Sequence, residues 1–231
     1  MAMNNRTLRP RASGFNPKAL SGFVYWLDAS QSSTITVETG VAQWRDAAGS
    51  SIKASQVTAN AQPAYQTAQQ NGKNAVYFDG TNDSMSLGDL SASFPSAATA
   101  IFAYKVDTDT DYSLYTTSNN SAFWAYPTAR TYIGTFKGTR LNNVSSPSMP
   151  TATAAIVAIV SSSAAYRVYI NNVLAHDVAA DFASGTNHRI AQNDLGAVMK
   201  GWLYEAIFSA SALGTSDLSK AYKYLQGKWG I

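Results

Sequence analysis

The sequence predicts an all-β protein, a sandwich or barrel of short strands with a single helix at its C-terminal end. Three observations predict it. Short aromatic and aliphatic runs alternate with turns rich in Ser, Thr, Asn and Gly. Hydrophobic residues make up 45% and aromatics 12% of the 231 residues, enough for a large core. Only one segment carries a convincing helical period.

The elements follow in order. Residues 1–20 lack periodicity, hold Pro10, Gly14 and Pro17, and are expected to form an extended arm ahead of a domain over 21–231. Phe23 to Leu27 is a short aromatic strand ended by Asp28. Asn74 to Phe78 is another strand; the turn residues Asp79 to Asp83 follow it, and Met85 to Leu87 returns. Thr99 to Val106 is a third strand. Ala154 to Val160 is almost wholly apolar, so burial on both faces is expected. Tyr166 to Ile170 alternates cleanly, with Tyr166, Val168 and Ile170 on one face. Asn171-Asn172 is a two-residue turn whose residues tolerate positive φ, and Val173 to Ala175 returns. Gly201 to Phe208 is the last strand. Strict alternation would set Trp202, Tyr204 and Phe208 on one face and Leu203, Glu205 and Ile207 on the other. Gly214-Thr215-Ser216 offers a helix cap, Asp217 suits the first turn, and Leu218, Tyr222, Leu225 and Trp229 fall near one face.

Charge and composition bound the function. Lys plus Arg number 17 and Asp plus Glu 14, a net charge of +3. The first 18 residues hold Arg6, Arg9, Arg11 and Lys18 and no acid, so the body is near neutral and the arm is basic. An extended arm of this kind can add to a neighbour's sheet edge or groove, and arginine suits bidentate pairing with carboxylates there. Arg6, Arg9 and Arg11 are therefore the candidate assembly residues, with self-association into a homo-oligomer expected. Four charges are few for a nucleic-acid arm. No apolar leader or membrane-length run is present, which leads to an expectation of cytoplasmic synthesis without export by a signal peptide and of no membrane partner. There is no Cys, which removes disulfides and cysteine metal sites.

The candidate chemistry is sparse. Glu38 and Glu205 are the only glutamates, and no Glu-x-Asp-x-x-Glu run offers the paired carboxylates of glycoside hydrolysis. Glu205 is the one acid inside a strongly aromatic strand, where burial would raise its pKa; a strand acid paired with an Arg or a backbone amide is the competing reading. No Gly-x-Ser-x-Gly occurs, and His176 and His188 fall in or beside predicted turns, as surface histidines would. No cofactor and no catalytic residue is expected. Calcium is the only metal the sequence suggests. Asp107, Asp109 and Asp111 stand at alternate positions, and Asp79 with Asp83 makes a second oxygen-rich turn; in both places turn capping by Asp competes with metal binding. For glycans, Trp124 and Tyr126 offer rings and Arg130 a donor for hydroxyls; an ordinary strand that buries Trp124 is the alternative.

Several phrases together resemble concanavalin A-like, laminin-G-like jelly-roll domains: VYWLDAS over residues 24–30, QWRDAAG over 43–49, NGKNAVYFDGTND over 71–83, GWLYEAIF over 201–208 and the closing YLQGKWGI over 224–231. The leader RPRASGF over 9–15 resembles the start of tailed-phage virion proteins that carry such a domain. The resemblance implies a two-sheet antiparallel jelly-roll sandwich. It further implies a non-enzymatic virion structural protein, a head or tail decoration or fibre component assembled in the host cytoplasm. Its arm would contact other virion proteins. The alternative it leaves is a glycan-binding adhesin for host cell-surface glycans, with a glycoside hydrolase disfavoured.

Overall fold

The computed structural model describes residues 14–107, 112–117, 122–126, 132–134, 150–179, 185–192 and 198–231, the stretches 122–126 and 132–134 as backbone only. In chain order the strands are β1 (Phe23–Asp28), β2 (Ile35–Val37), β3 (Val41–Arg45), β4 (Lys53–Ser55), β5 (Ala64–Gln70), β6 (Lys73–Asp79), β7 (Met85–Gly88) and β8 (Ala98–Val106). Then come β9 (Tyr112–Thr116), β10 (Ala122–Tyr126), β11 (Tyr132–Gly134), β12 (Ala155–Ser161), β13 (Tyr166–Ile170), β14 (Val173–Val178), β15 (His188–Ile190) and β16 (Lys200–Ser209), and the chain closes with helix α1 (Thr215–Trp229).

The strands form two antiparallel sheets, the sandwich the sequence predicts. One runs β14-β13-β12-β8-β16-β6-β5, and the other β11-β10-β9-β15-β7-β4-β3-β2. In the first sheet, β16 pairs with β8 along one side; on its other side β6 takes the first half and β1 the second. Rings fill the space between the sheets: Phe102 and Phe208 of the first sheet meet Tyr115 of the second, and Tyr104 meets Tyr112.

Helix α1 covers part of the outer face of the first sheet. Leu218, Ala221, Leu225 and Trp229 are its buried residues; Tyr222, expected among them, is only half-buried. This cover explains β12, whose seven residues are all buried: one face meets the opposite sheet and the other meets the helix. The helix starts within the segment expected to cap it. Gly214 is its N-cap and no side chain caps it, while Asp217 pairs with Lys220 at 2.8 Å inside the first turn. At its other end Gly230 takes the left-handed conformation with φ of 68°, which terminates the helix. The hairpin between β13 and β14 turns at Asn171 and Asn172, with φ of 48° and 65°, as the pair predicts.

Of the arm expected over residues 1–20, residues 14–20 are described. Pro17–Ala19 form a 3-10 turn, Pro17 and Leu20 are buried, and Phe15 packs against Tyr224 at 5.7 Å. Arg6, Arg9 and Arg11 lie outside the described residues. Among the described residues no helix is long and apolar enough to cross a membrane.

Candidate functional site

The face assignment of β16 by strict alternation fails at one point, and the failure builds the site. A bulge interrupts the β16–β8 register between Leu203 and Glu205, leaving Tyr204 as the extra residue. Past it, Phe208 turns into the sandwich, stacked on Tyr25 at 4.2 Å. Glu205 turns outward instead, to the side where Tyr204 stacks on Trp229 of the helix at 5.2 Å. Across the β1 pairing, Glu205 stands opposite Asp28.

Two acids thus meet on neighbouring strands beneath the helix end. Lys228 bridges them, its Nζ at 2.6 Å from Asp28 Oδ2 and 2.7 Å from Glu205 Oε2. Trp26 Nε1 donates to Glu205 Oε1 at 2.6 Å, and Trp229 Nε1 donates to Oε2 at 2.7 Å. Asp28 accepts from the Ser30 amide and hydroxyl at 3.0 and 2.7 Å and from the Gln31 amide group at 2.8 Å. The ammonium of Lys228 also lies over the rings of Trp26, Tyr224 and Trp229 at 5.3 to 5.4 Å. Every strong acceptor here has a partner, which is what burial of charge demands. Asp28 is 1% exposed and Glu205 is 0% exposed, so the pair is closed to any substrate in this conformation.

Burial, with the Asp28 charge behind it, pushes the Glu205 carboxyl up to about 7, while Lys228 and Trp229 pull the other way. The native carboxyl therefore holds its proton at pH values where the unfolded one, at about 4.5, has lost it. Between those values the native state binds more protons, so this group's contribution to stability falls as pH rises from about 4.5 to about 7 and levels off above. The slope is at most about 1.4 kcal/mol per pH unit. Urea unfolding of the wild type and Glu205→Gln across that window is expected to show the wild type losing stability relative to the variant by that slope, since the other titrating groups are common to both.

Lys228, Asp28, Trp26 and Trp229 were not among the site residues the sequence singled out. A signal was present, since the phrases that carry the family resemblance, around Trp26-Leu27-Asp28, Glu205 and Lys228-Trp229, converge here. Asp46 of a further phrase joins them by accepting the Trp26 amide at 2.8 Å.

The other sequence candidates take other places. Asp79 Oδ1 accepts the amide of Thr81 at 2.7 Å, and Asp83, buried, accepts the amide of Asp79 at 2.9 Å: both act as turn caps. Asp107 accepts the Tyr77 hydroxyl at 3.2 Å, and Asp109 and Asp111 lie outside the described residues. Among the described residues no group of three or more metal-ligating side chains is assembled. Trp124 and Tyr126 fall on β10, for which only backbone is described, and Arg130 lies outside the described residues. His188, expected at the surface, is buried; its Nδ1 meets the Tyr115 hydroxyl and its Nε2 lies 2.8 Å from the Gly185 carbonyl.

No family model and no curated protein matches the chain. Solved structures share its fold. A Trypanosoma rangeli sialidase in complex with sialic acid is similar at 11% identity and a TM-score of 0.62, over 90% of this chain and 33% of the sialidase. Domain 4 of a GH43 extracellular arabinanase from Geobacillus stearothermophilus, in complex with arabinotriose, is similar at 18% identity and a TM-score of 0.50, over 68% of this chain and 80% of that domain. The chain thus spans about a third of the sialidase. At such identities the likeness shows the fold, a sandwich of the concanavalin-like, jelly-roll kind. These matches overturn the expectation of a non-enzymatic virion structural protein. These two structures are a sialidase and a GH43 arabinanase domain, and they support the carbohydrate alternative better.

Proposed function

We propose that this domain handles carbohydrate as part of a glycoside-hydrolase-type activity, with glycan recognition as its own task. The observation that supports this is the domain-sized match to domain 4 of the arabinanase, a structure solved with arabinotriose. The sialidase structure with sialic acid points to the same broad ligand class. A two-sheet sandwich also suits the task physically, because its strands hold aromatic and polar groups on a rigid surface where sugar rings can be oriented.

The test uses the full chain on a panel of soluble and insoluble polysaccharides, with retained protein and released reducing ends both measured. Specific retention on at least one glycan is expected. Neither retention nor release anywhere on the panel overturns the reading.

A second reading, hydrolysis by this chain itself, is favoured by one feature: Asp28 and Glu205 are paired carboxylates, and Glu205 keeps a proton to near neutral pH. A retaining glycosidase sets two such groups ~5–5.5 Å apart. Lys228 occupies the space between them, so catalysis requires the helix end to withdraw. Sugar release that Glu205→Gln abolishes is the result this reading expects; release that survives the substitution ends the role of Glu205.

A further inference from the structure

Beyond the end of α1 the outer sheet face carries a second ordered cluster, three residues along β16 from Glu205. Three neighbouring strands put one residue each into a row: Tyr77 of β6 pairs with Trp202 of β16, which pairs with Lys105 of β8. All three are half-buried. The Tyr77 and Trp202 rings lie 4.8 Å apart at 54°, and the Lys105 ammonium sits over the indole at 5.1 Å. Each polar handle is oriented. Trp202 Nε1 donates to Gln66 Oε1 at 2.9 Å, and the Tyr77 hydroxyl donates to Asp107 Oδ2 at 3.2 Å.

The next row along the same strands is charged. Lys200 pairs with Asp79 across β16 and β6, and its carbonyl accepts the amide of Asp107. Two lysines and two aspartates therefore present balanced charge around the aromatic pair, with the buried carboxylate of Asp83 a third acid behind Tyr77. A ligand that matches this surface has an apolar face for the rings, hydroxyls that can both donate to carboxylates and accept from ammonium groups, and no net charge. A neutral sugar has all three properties. An anionic polymer would meet Asp79 and Asp107 as well as the lysines and gain little.

We propose that the Tyr77–Trp202–Lys105 row is a glycan-binding site for uncharged sugars, in which a sugar ring lies against the aromatic pair and Lys105 and Asp107 bind its hydroxyls. The proposal deepens the carbohydrate reading above and rests on it. It also gives the backbone at Gly201 a task. Its φ of 149° and close approach to the Lys105 carbonyl seat Trp202 and Lys105 side by side.

The experiment is affinity electrophoresis and calorimetry of the full chain with neutral polymers (arabinan, galactan, xylan) and acidic ones (polygalacturonate, hyaluronan). Trp202→Ala, Tyr77→Ala and Lys105→Met are compared with the wild type, and the melting temperature of each variant serves as a control. The expected result is binding to a neutral polymer, weakened about tenfold or more by Trp202→Ala at unchanged fold. Tyr77→Ala should act in the same direction if Trp202→Ala perturbs folding. Binding that survives both aromatic substitutions overturns this site and leaves the carbohydrate reading standing. Selective binding to the acidic polymers overturns the ligand class. No binding by the wild type to any polymer, together with no sugar release, overturns the carbohydrate reading and the site with it.

Discussion

Lys228→Met is expected to destabilise the domain by about 3–5 kcal/mol at neutral pH, because it leaves Asp28 and Glu205 buried with no counter-charge. The geometry explains the size. One ammonium serves both acids, at 2.6 and 2.7 Å, and neither acid is more than 1% exposed. The loss should grow as pH rises above about 7, where Glu205 gives up its proton in the wild type and the ammonium serves two charges instead of one. Urea unfolding of the wild type and Lys228→Met at two pH values measures both effects. A loss under about 1 kcal/mol at neutral pH would mean that the ammonium contributes no more than an exposed pair does. The same substitution probes how the helix is held, because Lys228 and Trp229 fasten its last turn to β1 and β16 through Glu205.

Gly201→Ala is the second large effect. A Cβ at this position would stand 2.1 Å from the Lys105 carbonyl oxygen and 2.7 Å from the Val106 Cα, both backbone atoms that cannot rotate away. The φ of 149° adds strain for any L side chain. The central β16–β8 pairing must then open at its end, at an expected cost of about 3 kcal/mol or more from overpacking and backbone strain together. Thermal unfolding of the variant measures it. A melting temperature equal to that of the wild type would show that the strands part without cost. Because Trp202 and Lys105 flank this contact, the variant is also expected, on the proposed site, to bind a neutral glycan more weakly at temperatures where it stays folded.

Together these sites divide the outer sheet face. Under the helix, charges are buried, fully partnered and closed. Beyond the helix, the rings are half-buried and the charges of Asp79 and Lys200 exposed, the surface proposed above for a glycan. The phrases behind the family resemblance map to both regions: Trp26-Leu27-Asp28, Glu205 and Lys228-Trp229 to the closed one, and Tyr77, Asp79 and Trp202 to the other.

Much of the architecture is decided locally. Alternation in Tyr166 to Ile170 marks β13 to the residue, and the apolar run after Ala154 marks a strand covered on both faces. Asn171-Asn172 sets its own turn through a tolerance of positive φ. The helical period from Leu218 to Trp229 places α1 with no help from the sheets. These are properties of neighbouring residues, and a sequence carries them in full. What only the tertiary structure decided is which distant residues meet. Alternation puts Glu205 opposite Tyr204, but the bulge after Leu203 turns both to the same face, and a bulge depends on the partner strand. Trp26 and Glu205 are 179 residues apart in the chain, yet share a hydrogen bond. Lys228 meets two acids only because the strands beneath the helix bring them together. Tyr77, Trp202 and Lys105 form a row only because β16 lies between β6 and β8, an order set by packing across the whole core.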